Sequence, residues 1–279
     1  MEKQRTIRNE FTLEGKGLQT GRPVKVSFYP EKENESIIFV RTDLAKKPRI
    51  RLADFFDLGT DRRSKISLGE GHYIETVEHL LAALWGAGID NVRIELCDSE
   101  LPALDGSASC YLDAINNSGI DEQEAGRRVI EIKEPIWVEE KVSFLGIFPS
   151  SIFKVSYILE YESPAIGKQF FSEALSPETF QKEVAPARTF CLKEEAEYLL
   201  KKGYGKGADL KNTLVMDEAG PMDNVLRFPD EPVRHKVLDL VGDLYLLGRP
   251  IKGRIVAIRS GHKLNLELVK KIRSLLKGG

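Results

Sequence analysis

Apolar and polar positions alternate along the first forty residues, through Phe11 and Leu13, then Val24, Val26 and Phe28, then Ile37 to Val40. A period of two predicts half-buried strands, with Gly15, Gly17 and Gly21 turning the chain between the first two runs. From about Ile74 the period changes. Val77, Leu80, Leu81 and Leu84 fall at i, i+3, i+4 and i+7, one face of a helix that Gly86 and Gly88 would end. The strand NVRIEL follows, then the turn LPALDGS and a second helix near residues 109–116. The polar stretch SGIDEQEAGRR (118–128) reads as a linker. Beyond it VIEIKEPIWVEE, VSFLGIF and FKVSYILEY read as strands. A long helix then opens near Pro232, behind Asp230 and Glu231, whose charge suits a helix N-terminus. It closes near Gly248, and the strand GRIVAI and a helix over 264–276 complete the pattern.

The two halves echo each other. Val77-Glu78-His79 opens a helix that ends in glycine before NVRIEL, and Val233-Arg234-His235 opens one that ends in glycine before GRIVAI. Both halves also begin with consecutive strands. We read a degenerate internal duplication, the alternative being chance likeness between two apolar helices. The 279 residues are enough for two domains, divided at the polar stretch into 1–120 and 128–279.

Composition narrows the class. The 41 Lys and Arg nearly balance 43 Asp and Glu, so a non-specific nucleic-acid binder is not expected. The longest nearly apolar stretch, 79–89, is about half a membrane span. The N-terminal MEKQRTIRNEFT has charges and no apolar run, which predicts no secretory signal. Cys97, Cys110 and Cys191 are odd in number and lack CxxC spacing, as expected of a reducing cytoplasm.

Candidate chemistry centres on histidine. His235 and Asp239, at i and i+4, leave one face of the second long helix, and Asp243 continues that stripe. Val233, Val237, Leu240, Val241, Leu244 and Leu247 form its core face. An HxxxD pair is most often an ordinary surface pair, but here the helix has little face left for solvent, and buried charges need compensation. Near His79 the residues Ala82, Ala83 and Gly86 would let another backbone approach. If the halves are related, the helices of His79 and His235 pack together. Two imidazoles, one carboxylate and an open fourth position then make a catalytic zinc site. Glu78 would serve as base to the attacking water; the plainer reading is an acidic helix start followed by a core histidine. His262, at the turn from GRIVAI into the last helix, would supply positive charge or a proton, or simply cap that helix. His72, in a Gly-rich turn, is given no role. After PARTFCL, the residues Ala196, Leu199 and Leu200 make a short apolar face before a loose glycine-containing stretch, a β-α-β excursion that would flank a cleft or form a surface helix.

Taken in order, TVEHLLAAL, LPALDGSA, PARTFC, PVRHKVLDLVGDLYLLG and SGHKLN closely resemble the UDP-3-O-acyl-N-acetylglucosamine deacetylases, zinc amidases of lipid A biosynthesis. The resemblance runs from GKGLQTG at Gly15 to the last helix. It implies an α+β fold of two similar domains, each a sheet with two helices, the helices sandwiched between the sheets. Each domain would carry an insert, the second a β-α-β unit at about 189–215 enclosing an acyl passage with Leu192 and Leu199. It implies zinc ligands His79, His235 and Asp239, the base Glu78 and a cationic partner His262, with Asp243 orienting His262. Lys236 and Thr189 would meet the substrate carbonyl and its oxyanion, Phe190 the sugar and Tyr161 the uracil. Two positions depart from the family: Gln19 stands where His is usual, and Lys263 where a small residue is usual.

The resemblance thus implies a cytoplasmic enzyme that removes acetate from a UDP-linked acylated amino sugar, with no nucleic-acid, membrane-inserted or obligate protein partner. Another zinc amidohydrolase is the nearest alternative. A non-haem iron oxygenase shares the two-His, one-carboxylate pattern. A nucleotide-sugar binding protein would not need the base Glu78.

Overall fold

The computed structural model describes residues 2–54, 58–59 and 64–278. The first half contains β1 (Lys3–Ile7), β2 (Phe11–Lys16), β3 (Pro23–Pro30), β4 (Ile37–Arg41), β5 (Arg49–Arg51), β6 (Leu58–Gly59), β7 (Lys65–Gly69) and β8 (His72–Glu75). Then come α1 (Glu78–Ala87), β9 (Val92–Leu96), α2 (Ser109–Asn117) and β10 (Ile120–Gly126). The second half opens with β11 (Ile130–Glu131), β12 (Ile136–Glu140), β13 (Ser143–Phe148), β14 (Phe153–Glu160), β15 (Lys168–Ala174) and α3 (Pro177–Glu183). It continues with β16 (Phe190–Leu192), α4 (Lys193–Lys201), β17 (Leu214–Asp217), β18 (Gly220–Pro221), α5 (Glu231–Tyr245), β19 (Ile251–Ile258) and α6 (His262–Gly278). The chain is a mixed α+β protein.

The echo between the halves is written into strand pairing. One sheet runs β2-β3-β9-β4-β5 and the other β12-β13-β19-β14-β15, with β11 added beside β19. In each, the strand that arrives last is central, parallel to one neighbour (β4 or β14) and antiparallel to the other (β3 or β13). Even the register corresponds: Ile94 sits between Phe28 and Phe39, and Ile255 between Ile147 and Val155. All six side chains are buried, so the same central position anchors the core twice.

Helices α1 and α5 pack on each other. Every residue of α1 is buried: from Leu80 to Ala87 the helix is apolar all round, which an amphipathic surface helix is not, and the polar Glu78 and His79 are buried at its start. Contact with α5 is close enough that a Cβ on Gly242 would come 2.0 Å from the Glu78 carbonyl oxygen. Glycine is therefore required at that crossing. Gly86, expected to admit the partner backbone, instead lies under the ring of Phe180 from α3.

Several boundaries differ from expectation. Helix α1 begins at Glu78, because Ile74 pairs with Ile66 in a strand and Thr76, at φ 58°, breaks the chain between strand and helix. Gly86 stays within α1, and Gly88, at φ 71°, ends it. The polar stretch is not a free linker: its residues 120–126 form β10, antiparallel to β1. Neither strand shows an apolar alternation. Gln4 of β1 is buried through its amide, which bonds Asn34 and Asn91 rather than packing as hydrocarbon. The small β6-β7-β8 sheet and α3 were also unanticipated. The excursion after PARTFC is a β-α-β unit as expected, β16 and β17 running parallel with α4 between them.

Candidate metal centre and acid-base site

Three predicted ligands converge from the two packed helices. His79 is the second residue of α1, and His235 and Asp239 lie one turn apart on α5. Their ligand atoms are all within 4.8 Å of one another and all three residues are buried. Asp239 Oδ1 is 3.3 Å from His235 Nε2 and 3.8 Å from His79 Nε2. The imidazoles meet edge to face, centroids 5.0 Å apart. Tetrahedral zinc with bonds of about 2.0–2.2 Å sets neighbouring donors roughly 3.4 Å apart, close to the two carboxylate–imidazole separations. His235 Nδ1–H donates to the Ala187 carbonyl at 3.0 Å, which leaves the Nε2 lone pair facing the group.

Protonation states agree with that geometry. Burial, reinforced by the neighbouring His235, pushes His79 down to about 3, and burial also lowers His235. Burial opposes the charge of Asp239, but His235, Lys236 and His262 outweigh it and hold the carboxyl well below its ordinary range. Two neutral imidazoles and an ionised carboxylate are what a divalent cation needs from its ligands. The residues fit a metal. Lys236 Nζ approaches the same carboxylate, 2.8 Å from Asp239 Oδ2.

Beside this donor set stands a carboxylate–imidazole couple. Glu78 Oε1 is 3.8 Å from His262 Nε2, while Glu78 Oε2 is buried without a hydrogen-bond partner. Burial raises Glu78 to about 7. His262 Nδ1–H donates to Asp243 Oδ2 at 2.8 Å, and His262 Nε2 is 3.8 Å from Asp239 Oδ2. Burial disfavours the imidazolium, yet Asp243 and Asp239 overcome it and lift His262 to about 10. The pair is therefore a carboxylate that readily gains a proton and an imidazolium that holds one.

The turn carrying His262 is built to be rigid. The Tyr157 hydroxyl donates to the Ser260 carbonyl at 2.5 Å, and Ser260 Oγ donates to Asn265 Oδ1 at 2.9 Å. Asn265 Nδ2 in turn donates to Asp243 Oδ2 at 2.8 Å, and the buried Ser64 hydroxyl donates to Asp243 Oδ1. Ser64 and Asn265 were not singled out in the sequence. Asn265 had a signal, lying one turn after His262 in SGHKLN; Ser64 had none. Nor was the buried pair Arg188–Glu231, 2.9 Å apart, which ties PARTF to the first residue of α5. Glu231 thus answers a guanidinium, and Asp230 answers Arg234 at 2.6 Å, rather than either merely facing the helix dipole.

Other predicted residues fall around the donor set. The Phe190 ring lies 6.2 Å from His235 and 5.8 Å from Tyr161, with Lys236 Nζ 5.6 Å from its centroid. Thr189 is half-buried, its N–H donating to the Gly106 carbonyl at 2.8 Å. Leu192 packs against the core from β16, and Leu199 is half-buried on α4, which packs on β16 and β17. Leu200, expected on the apolar side of α4, is 59% exposed. Gln19 Oε1 accepts from the Gly205 N–H at 3.1 Å, and Lys263 pairs on the surface with Glu140.

A buried metal-type donor set next to an acid–base couple is the equipment of a hydrolase that activates water, and the α+β frame presents it where two like halves meet. Over residues 4–274 the chain matches the family model of UDP-3-O-acyl N-acetylglycosamine deacetylase, LpxC. It is 39% identical over 276 residues to the UDP-3-O-acyl-N-acetylglucosamine deacetylase of Chlamydia muridarum, covering 98% of this chain and 96% of the relative. With the enzyme of that name from Chlamydia abortus it shares 40% identity over 275 residues, 98% of each chain. With that of Syntrophus aciditrophicus it shares 40% over 271 residues, 96% of this chain and 85% of the relative. The chain belongs to the UDP-3-O-acyl-N-acetylglucosamine deacetylase family.

Proposed function

We propose that the chain hydrolyses the N-acetyl group of UDP-3-O-(3-hydroxyacyl)-N-acetylglucosamine, releasing acetate in the committed step of lipid A biosynthesis. The observation that carries this reading is the unpartnered, buried Glu78 carboxylate oxygen beside His262 and the His79–His235–Asp239 cradle. Zinc held by those three residues would supply Lewis acidity that favours ionisation of the attacking water.

Glu78 accepts a proton from that water as its oxygen attacks the acetyl carbonyl. Negative charge grows on the carbonyl oxygen, where Lys236 and the Thr189 hydroxyl stabilise it. The C–N bond then breaks, and His262 gives its Nε2 proton to the departing amine. Asp243, bonded to Nδ1, holds the ring for that transfer and stabilises its cationic form. Phe190 flanks the sugar and Tyr161 stacks on the uracil, while Leu192 and Leu199 border a passage for the acyl chain at 189–215.

We further assign the halves to two domains, 1–120 and 128–279, with their helices layered between the sheets. The repeated strand order supports this division. Among the described residues no helix is long and apolar enough to cross a membrane. The free thiols of Cys97, Cys110 and Cys191 suit a reducing compartment, and we place the reaction in the cytoplasm. The direct test is acetate release from the UDP-linked substrate together with metal analysis of the purified protein. Stoichiometric acetate and free amine are expected; a metal-loaded protein that released neither would overturn the reading.

A further inference from the structure

Glu100 is 1% exposed, and four donors converge on its carboxylate. Oε1 accepts from the Gln19 N–H at 2.8 Å and the Thr76 hydroxyl at 3.2 Å. Oε2 accepts from the Thr20 N–H at 2.9 Å and the Thr20 hydroxyl at 2.8 Å. Gly17 makes room for the group: a Cβ there would come 2.3 Å from Oε2.

Each side of this clamp leads to a different part of the site. The loop it grips holds the second-half insert beyond α4. Gly205 N–H donates to Gln19 Oε1 at 3.1 Å, Lys206 N–H to the Gln19 carbonyl at 3.2 Å and Gly207 N–H to the Leu18 carbonyl at 3.0 Å. On the other side Thr76, in the left-handed region at φ 58°, sets the chain direction two residues before Glu78. Its N–H also donates to the Ser64 carbonyl at 3.1 Å, and the Ser64 hydroxyl donates to Asp243.

We propose that Glu100 is a positioning residue with two duties: it docks the acyl-passage insert against the first half and fixes the start of α1 that carries Glu78. The proposal rests on the deacetylase reading and its passage. A carboxylate is needed because both oxygens must accept twice. An amide in its place sets an NH2 group against a backbone N–H that can only donate, that of Gln19 or of Thr20, whichever way it is flipped.

The experiment compares wild type with Glu100→Gln, Thr20→Val and Thr76→Val, each checked for folding and bound metal. The readouts are kcat on a short-acyl UDP substrate, the long-to-short ratio of kcat/KM, and amide exchange at 205–207. Glu100→Gln is expected to keep its metal and lose roughly tenfold or more in both kcat and the ratio, the worth of a hydrogen bond to a charged group, with faster exchange at 205–207. Thr20→Val should act mainly on the ratio and Thr76→Val mainly on kcat. A folded Glu100→Gln with all three readouts unchanged overturns the proposal. If Glu100→Gln does not fold, the threonine variants decide: the split supports the proposal, and effects that do not separate refute it. A wild type indifferent to chain length would defeat the passage alone, and exchange at 205–207 would still judge the clamp.

Discussion

His262 Nδ1 and Asp243 Oδ2 lie 2.8 Å apart, and Asp243 takes two further hydrogen bonds, from Ser64 and Asn265. A carboxylate so saturated cannot swing away from the imidazole, so His262 keeps its orientation and its proton. Asp243→Asn should therefore lower kcat by about 10² while leaving bound metal in place. Ser64→Ala should cost about tenfold, one charge-assisted hydrogen bond. Steady-state kinetics with metal analysis measure both.

His79→Ala should lose metal and activity together, because it removes one of the three donors that the described residues bring together there. The wild-type chain should carry one tightly held divalent ion. Elemental analysis after gel filtration reports this directly, and a fully active metal-free preparation would contradict it.

Glu78→Gln separates base from ligand. The carboxylate stands beside the donor set without belonging to it, so the variant should retain its metal while kcat falls by about 10² or more. A variant that came out empty of metal would refute the role given to Glu78.

Activity should follow a bell-shaped pH profile. Glu78 must be ionised to accept a proton, so activity rises with pH through its value of about 7, or lower once a cation sits beside it. His262 must be protonated, so activity falls as pH passes about 10. Asp243→Asn takes away a charge that raises His262 and should move the falling limb to lower pH. Profiles of kcat/KM for both proteins test the sign.

Chain-length dependence tests the passage. Each methylene leaving water is worth up to ~0.8 kcal/mol, so removing eight should cost roughly a thousandfold in kcat/KM after allowing for incomplete burial. Leu199→Glu should flatten that dependence without changing metal content. Equal rates for long- and short-chain substrates on wild type would make residues 189–215 an ordinary surface insert.

Elements whose burial is purely apolar were legible in the chain. Helix α1 and the core face of α5 announce themselves because hydrocarbon repeats at helical spacing, and β9 because Val92, Ile94 and Leu96 alternate. Strands β1 and β10 were not, since Gln4 and its amide partners replace hydrocarbon with hydrogen bonds that no hydropathy pattern records. The start of α1 was misplaced for a related reason: Ile66 and Ile74 pair across a strand, so apolar Ile74 serves a sheet rather than the helix. In the site, His235 and Asp239 could be joined from spacing alone, whereas His79 needed the duplication. Ser64 is a single hydroxyl beside an undistinguished KISL run, and only the folded chain brings it to Asp243. The roles of Thr189, Phe190 and Tyr161 came from resemblance, not from period or composition.

Because His79 belongs to the first half and His235 and Asp239 to the second, an ion held among them rivets the halves together. Its binding energy is also energy of docking. At a free-ion concentration a thousand times its dissociation constant, that linkage adds about 4 kcal/mol to the folded chain's stability. Metal scarcity would then act twice, on turnover and on lifetime. A starved chain would not only be idle; its halves would open more often and expose α1, apolar all round from Leu80 to Ala87, to proteases and aggregation.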